Sequence, residues 1–150
     1  MADTQEKVTH AIAIDLQNPD GGMHFIADTG DGVAVHIDSD EAVGGQGLGA
    51  RPQKLLLVSL ASCSGMDVIS ILRKKRQTVT GLRVEARGEK ADNHPKVYTH
   101  IWLDFHVTGS EVDPKAVERA IELSMTRYCP VAGMLHEVVD IDTNYTITEG

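Results

Sequence analysis

The chain has 150 residues, 41% apolar and 24% charged, with a formal net charge of −8 at neutral pH. That size and composition suit a single packed domain over residues 1–150, and the acidic balance argues against nucleic acid or an anionic membrane as partner. Residues 1–10 carry no signal pattern and the apolar runs read as too short to span a bilayer, so the expected location is the cytoplasm.

The first third is punctuated by turns. Residues 8–16 partly alternate, 23–27 and 33–37 are short apolar runs, and Asn18-Pro19-Asp20-Gly21-Gly22 and Thr29-Gly30-Asp31-Gly32 separate them. The pattern predicts three strands joined by tight turns. Val43-Gly44-Gly45-Gln46-Gly47-Leu48-Gly49-Ala50 follows as a loop. It lacks the Lys-Ser/Thr ending of a phosphate loop.

Residues 52–77 are apolar on nearly every face, with Leu55, Leu56, Leu57, Val58, Leu60, Met66, Val68, Ile69, Ile71 and Leu72. This predicts a buried helix with Pro52 in its first turn. Covering so apolar a helix in a small chain is easier with a second subunit, so a homodimer is expected. Arg73-Lys74-Lys75-Arg76 complements the dipole where that helix should end. Strands are predicted over 79–87 and 98–108, the second with Ile101, Leu103, Phe105 and Val107 on one face, with a turn at 91–95. Asp113-Pro114 offers an N-cap and a first-turn proline, and Ala116, Val117, Ala120, Ile121, Ser124 and Tyr128 continue as a helical stripe. Pro130 interrupts it, 131–138 resumes a helical pattern, and 140–148 reads as a strand. The order predicts an α+β protein with a largely antiparallel sheet.

Cys63 and Cys129 are the only cysteines. Their wide separation, with no C-x-x-C motif, argues against a zinc knuckle or ribbon. They read either as small apolar core residues or as a thiol pair joined by folding; in the cytoplasm a disulfide between them would be transient and catalytic. Asp67 lies four residues after Cys63, on the same helical face. A carboxylate there opposes thiolate formation unless a cation neutralises it, so Asp67 either pairs with an arginine or histidine or reaches water or a backbone cap. The seven histidines, His10, His24, His36, His94, His100, His106 and His136, show no helical i, i+4 pairing. No metal and no cofactor is expected.

Arg51-Pro52-Gln53-Lys54-Leu55-Leu56-Leu57-Val58-Ser59-Leu60-Ala61-Ser62-Cys63, the later Tyr128-Cys129-Pro130 and the order of elements together resemble the OsmC/Ohr family. The family comprises osmotically inducible protein C and organic hydroperoxide resistance protein. The stretch from Cys63 through Met66-Asp67 to Leu72 looks closest to its YhfA-like branch. The resemblance implies curved, largely antiparallel sheets around a long buried central helix in an intertwined homodimer, with active sites at the subunit interface. It also implies a peroxidase of the oxidative stress response. Cys63 would attack an organic hydroperoxide, Cys129 would resolve the sulfenic acid, and an external dithiol such as a lipoyl protein would reduce the disulfide. Met66, Tyr128 and Met134 are candidates for lining an apolar substrate pocket.

Two departures accompany the resemblance. The peroxidases hold the thiolate with an N-terminal arginine and a glutamate ten residues before the first cysteine; here that position is Gln53 and no arginine precedes Arg51. Gln53 brings no charge. Arg51 or Arg127 are candidates to supply it, or are simply exposed helix-end arginines. The alternative function is a non-catalytic dimer that binds a small hydrophobic or thiol-containing ligand.

Overall fold

The computed structural model describes residues 6–150, in two compact units that meet in sequence at Leu55 and Leu56. The first unit holds three short strands, β1 (Ala13–Leu16), β2 (Phe25–Asp28) and β3 (Ala34–Ile37), in an antiparallel sheet of order β1-β2-β3. The glycine loop after β3 is organised around one carboxylate. Asp38 is 2% exposed and accepts backbone N–H bonds from Ser39 at 2.7 Å, Gln46 at 3.2 Å and Leu48 at 3.0 Å. The glycines are needed where the backbone doubles back. A Cβ at Gly45 would stand 2.1 Å from the Ser39 carbonyl oxygen, and one at Gly49 would stand 2.4 Å from the His36 backbone.

A 23-residue helix, α1 (Pro52–Lys74), begins in the first unit and runs through the start of the second. The second unit continues with β4 (Thr78–Lys90), β5 (Tyr98–Ser110), α2 (Pro114–Leu123), a π-helical turn (Ser124–Tyr128), α3 (Pro130–Leu135) and β6 (Asp140–Glu149). Its sheet has the order β4-β5-β6. β4 and β5 pair antiparallel, whereas β5 and β6 pair parallel. The parallel pair follows from the connection: α2, the π turn and α3 form a crossover that returns the chain to the same end of the sheet. Three of the four strand pairs among the described residues are antiparallel, which agrees with a largely antiparallel α+β fold.

The core of the second unit forms where α1 and α2 meet one face of β5. Ile101, Leu103, Phe105 and Val107 are all at most 1% exposed, as the alternation predicts, and they cluster with Leu60, Val68, Leu72, Val117 and Ala120. Asp113 caps α2 by accepting from the Lys115 N–H at 3.0 Å, with Pro114 in the first turn. Gly65 lets the helix sit close to β4, since a Cβ there would be 3.3 Å from Val84 Cγ2.

Within the single chain the long apolar helix is buried along one stripe. Leu60, Ser64, Gly65, Val68 and Leu72 form the one buried stripe of α1, while Leu56, Val58 and Met66 are 46%, 56% and 69% exposed. The expectation that apolar runs are too short for a bilayer is corrected, because α1 is long and apolar enough to cross one by length and composition. Its buried stripe against β4 and β5 makes it a core helix here.

Candidate functional site

Folding brings Cys63, Asp67 and Cys129 together. Both sulfurs and an Asp67 carboxylate oxygen lie within 4.8 Å of one another, although the cysteines come from separate helical segments. Cys63 and Asp67 share a face because four residues make just over one helical turn. Neither belongs to the fully buried stripe of α1: both are half-buried, whereas Cys129 is 4% exposed.

Cys129 owes its position to two local devices. The π turn widens the end of α2, and the Cys129 N–H donates to the Ser124 carbonyl at 2.9 Å to close it. Pro130 then starts α3, so Cys129 has extended backbone and acts as N-cap, its Sγ accepting from the Ala132 N–H at 3.3 Å. Cys63 Sγ accepts from the neighbouring Val131 N–H. A π-helical turn inside a helical run is uncommon and is found often at functional sites.

Asp67 is held as well. The Ser124 hydroxyl donates to Asp67 Oδ2 at 2.9 Å, and Ser124 is fully buried. This answers the question left by the sequence, since the partner of Asp67 is a serine and no cation pairs with it among the described residues. Ser124 appeared in the sequence only as part of a helical stripe. Its position, 57 residues from Asp67, gave no local sign of the contact.

The electrostatics follow from these neighbours. The Cys63 thiol is pushed up to about 11, first by burial and next by its hydrogen bond to Cys129 and repulsion from that group. The Asp67 carboxylate adds to the rise, while the Val131 N–H opposes it. The chain's own groups therefore favour the protonated thiol.

The remaining sequence candidates lie elsewhere. Arg51 and Gln53 sit at the start of α1 in the first unit, where Arg51 forms an ion pair with Asp40 and donates to the Gly49 carbonyl at 3.1 Å. Arg127 stacks on the Tyr128 ring at 5.4 Å and lines a cavity of about 390 Å³ with Met125, Cys129 and His136. Met66 lines a different, apolar groove of about 540 Å³ with Val58, Ala61, Ile69, Leu82 and Val84. Tyr128 and Met134 are 50% and 71% exposed and line neither. Among the histidines, His24, just before β2, and His36 on β3 stack and hydrogen-bond at 2.9 Å, and His100 pairs with Asp142 at 2.6 Å across β5 and β6.

Residues 45–144 match the family model described as OsmC-like protein. The chain is 36% identical over 126 residues to protein YhfA of Escherichia coli strain K12, covering 84% of this chain and 91% of that protein. Among solved structures, a hypothetical protein from Aquifex aeolicus VF5 superposes with a TM-score of 0.83 at 28% identity, covering 96% of this chain and 99% of that one. An organic hydroperoxide resistance protein OsmC from Legionella pneumophila superposes with a TM-score of 0.68 at 16% identity, covering 95% and 99%, which shows a shared fold.

Proposed function

Because the chain belongs to the OsmC-like family, we propose that it is a thiol-dependent reductase of organic hydroperoxides, working through Cys63 and Cys129. The observation that carries this reading is the pair of thiols within 4.8 Å of each other on two different elements, which folding has brought to the neighbourhood that a disulfide requires. In the proposed cycle the Cys63 thiolate attacks the terminal oxygen of a hydroperoxide. The O–O bond breaks, the alkoxide takes a proton and leaves as alcohol, and Cys63 becomes a sulfenic acid. The Cys129 thiolate then attacks that sulfur, an S–S bond forms and hydroxide leaves as water after protonation. An external dithiol, such as a protein-bound lipoyl group, returns the disulfide to two thiols by two exchange steps and is itself oxidised. A reducing cytoplasm suits this cycle.

A homodimer is part of the same proposal. The exposed Leu56, Val58 and Met66 on α1, with Ile14 at 53% and Leu16 at 41% on β1, leave apolar surface that a second copy would cover.

The raised Cys63 pKa and the apolar groove beside Met66 support a second reading, in which the chain binds a small hydrophobic or thiol-containing ligand without turnover. One experiment separates the two. Reduced protein is mixed with cumene hydroperoxide, and peroxide loss and thiol count are followed in wild type, Cys63→Ser and Cys129→Ser. The peroxidase reading expects wild type to consume peroxide with formation of an internal disulfide, Cys129→Ser to consume it through oxidation of Cys63 without a disulfide, and Cys63→Ser to leave it unconsumed. Consumption no faster than in Cys63→Ser leaves the binding role.

A further inference from the structure

The cluster of Cys63, Asp67 and Cys129 has a second chemical property. In their ligand forms all three groups are anions, they are mutually within 4.8 Å, and no ion pair reaches any of them among the described residues. Without a cation the protonated thiol is favoured, and a metal ion at the centre would take the place of the thiol protons and make the interaction with each of the three ligand anions attractive. The dimensions suit it. Zinc takes sulfur at about 2.3 Å and carboxylate oxygen at about 2.0–2.2 Å, so tetrahedral ligand atoms stand roughly 3.5–3.8 Å apart. Contraction from the present spacing is at most about 1.0–1.3 Å.

The surroundings are those of a supported ligand set. Ser124 Oγ donates to Asp67 Oδ2 at 2.9 Å, which orients the carboxylate. Each sulfur accepts a backbone N–H, Cys63 from Val131 and Cys129 from Ala132 at 3.3 Å. Such bonds stabilise bound thiolates. Cys63 and Asp67 also supply an i, i+4 helical pair on α1, and the third donor arrives through the fold.

We propose that Cys63, Asp67 and Cys129 bind a thiophilic divalent cation, with Zn²⁺ as the chemical class that two thiolates and one carboxylate select, leaving the fourth position open to water or an external ligand. Binding replaces two thiol protons: two S–H bonds break, two Zn–S bonds form and two protons enter solution, with no change of oxidation state. The inference goes beyond the peroxidase reading and is exclusive with its disulfide, since an oxidised pair offers no thiolate. The loaded and oxidised forms are alternative states of one site.

The test uses reduced, full-length protein without peroxide, so its outcome is independent of the hydroperoxide reaction. Zn²⁺ is titrated in competition with a chromogenic chelator, and Co²⁺ is bound in parallel to read coordination. The expected result is one ion per chain, with sulfur-to-cobalt charge-transfer absorption in the near ultraviolet and the visible bands of a four-coordinate ion. Ser124→Ala should weaken zinc by about 10- to 100-fold, Asp67→Ala by at least as much, and Cys129→Ser should remove most of the charge-transfer intensity. A cobalt complex without charge-transfer absorption, or zinc affinity unchanged in both Asp67→Ala and Cys129→Ser, overturns the site. If a variant fails to fold, the wild-type cobalt spectrum and its loss on forming the Cys63–Cys129 disulfide decide the question in its place.

Discussion

The reactivity of Cys63 offers the most direct check on the electrostatic account. A thiol pushed up to about 11 is ionised to about one part in 10⁴ at pH 7, against about one part in 30 for an ordinary cysteine of pKa about 8.5. The thiolate that does form is intrinsically more nucleophilic, by roughly tenfold for a difference of about 2.5 units, so alkylation should run about 30-fold slower than in a small-molecule thiol. In reduced, metal-free protein, modification of Cys63 by iodoacetamide, resolved from Cys129 by mass spectrometry, should rise about tenfold per pH unit above pH 7 and bend only near 11. Cys129→Ala removes the hydrogen bond and repulsion that rank next after burial, so it should lower the inflection more than Asp67→Asn, which removes the smallest contribution. Neither should bring it fully to the ordinary value, because burial ranks first. A larger fall in Asp67→Asn than in Cys129→Ala would refute this ordering. A wild-type inflection at or below 9 would refute the claim that the chain's own groups set the pKa.

Two further predictions concern the framework. The carboxyl of Asp38 is held below its ordinary range, first by the Leu48 N–H and further by those of Ser39 and Gln46. A depressed carboxyl stabilises above its unfolded value of about 3.9 and loses that contribution as pH falls through the folded value. Asp38→Asn should therefore speed hydrogen exchange at the Gln46 and Leu48 amides at neutral pH, and the difference from wild type should shrink below about pH 4; equal exchange at pH 7 would remove Asp38 from its role. Phe105 is fully buried at the centre of β5, so Phe105→Ala should cost about 3–5 kcal/mol in urea unfolding, and a loss below about 1 kcal/mol would contradict the core assignment.

What could be read from the sequence was local. The alternation of β5 and the Asp113-Pro114 start of α2 were legible because period two and an N-cap are written in adjacent residues. The parallel β5–β6 pair was not, because its direction depends on how α2, the π turn and α3 together return the chain. The closeness of Cys63 and Cys129 came into view through family resemblance, whereas the Ser124–Asp67 bond had no marker in either sequence or resemblance. The apolar faces of α1 were legible too, but how much of them the chain covers by itself was not. An apolar composition on every face says that water is unfavourable all round, but not which chain supplies the cover.

That last point bears on the chemistry, because the uncovered faces of α1 and the disfavoured thiolate of Cys63 share a requirement for something from outside the chain. If a second copy covers α1, it also brings groups toward a helix whose Cys63 and Asp67 are only half-buried. A cationic side chain delivered in this way would favour the thiolate and the peroxidase reaction; a metal ion would occupy the thiols instead. Val58→Asp, at a 56% exposed position of α1 lining the apolar groove, places a charge where a second copy would need to desolvate it. Light scattering should show a dimer in wild type and a monomer in Val58→Asp. With Cys63 alkylation followed across pH in both, a partner-supplied cation predicts a lower inflection in the dimer that rises toward 11 on monomerisation. If the metal is the only external cation, the two metal-free proteins should share one inflection. A monomeric wild type would remove the dimer from the proposal and leave the metal as the remaining source of positive charge.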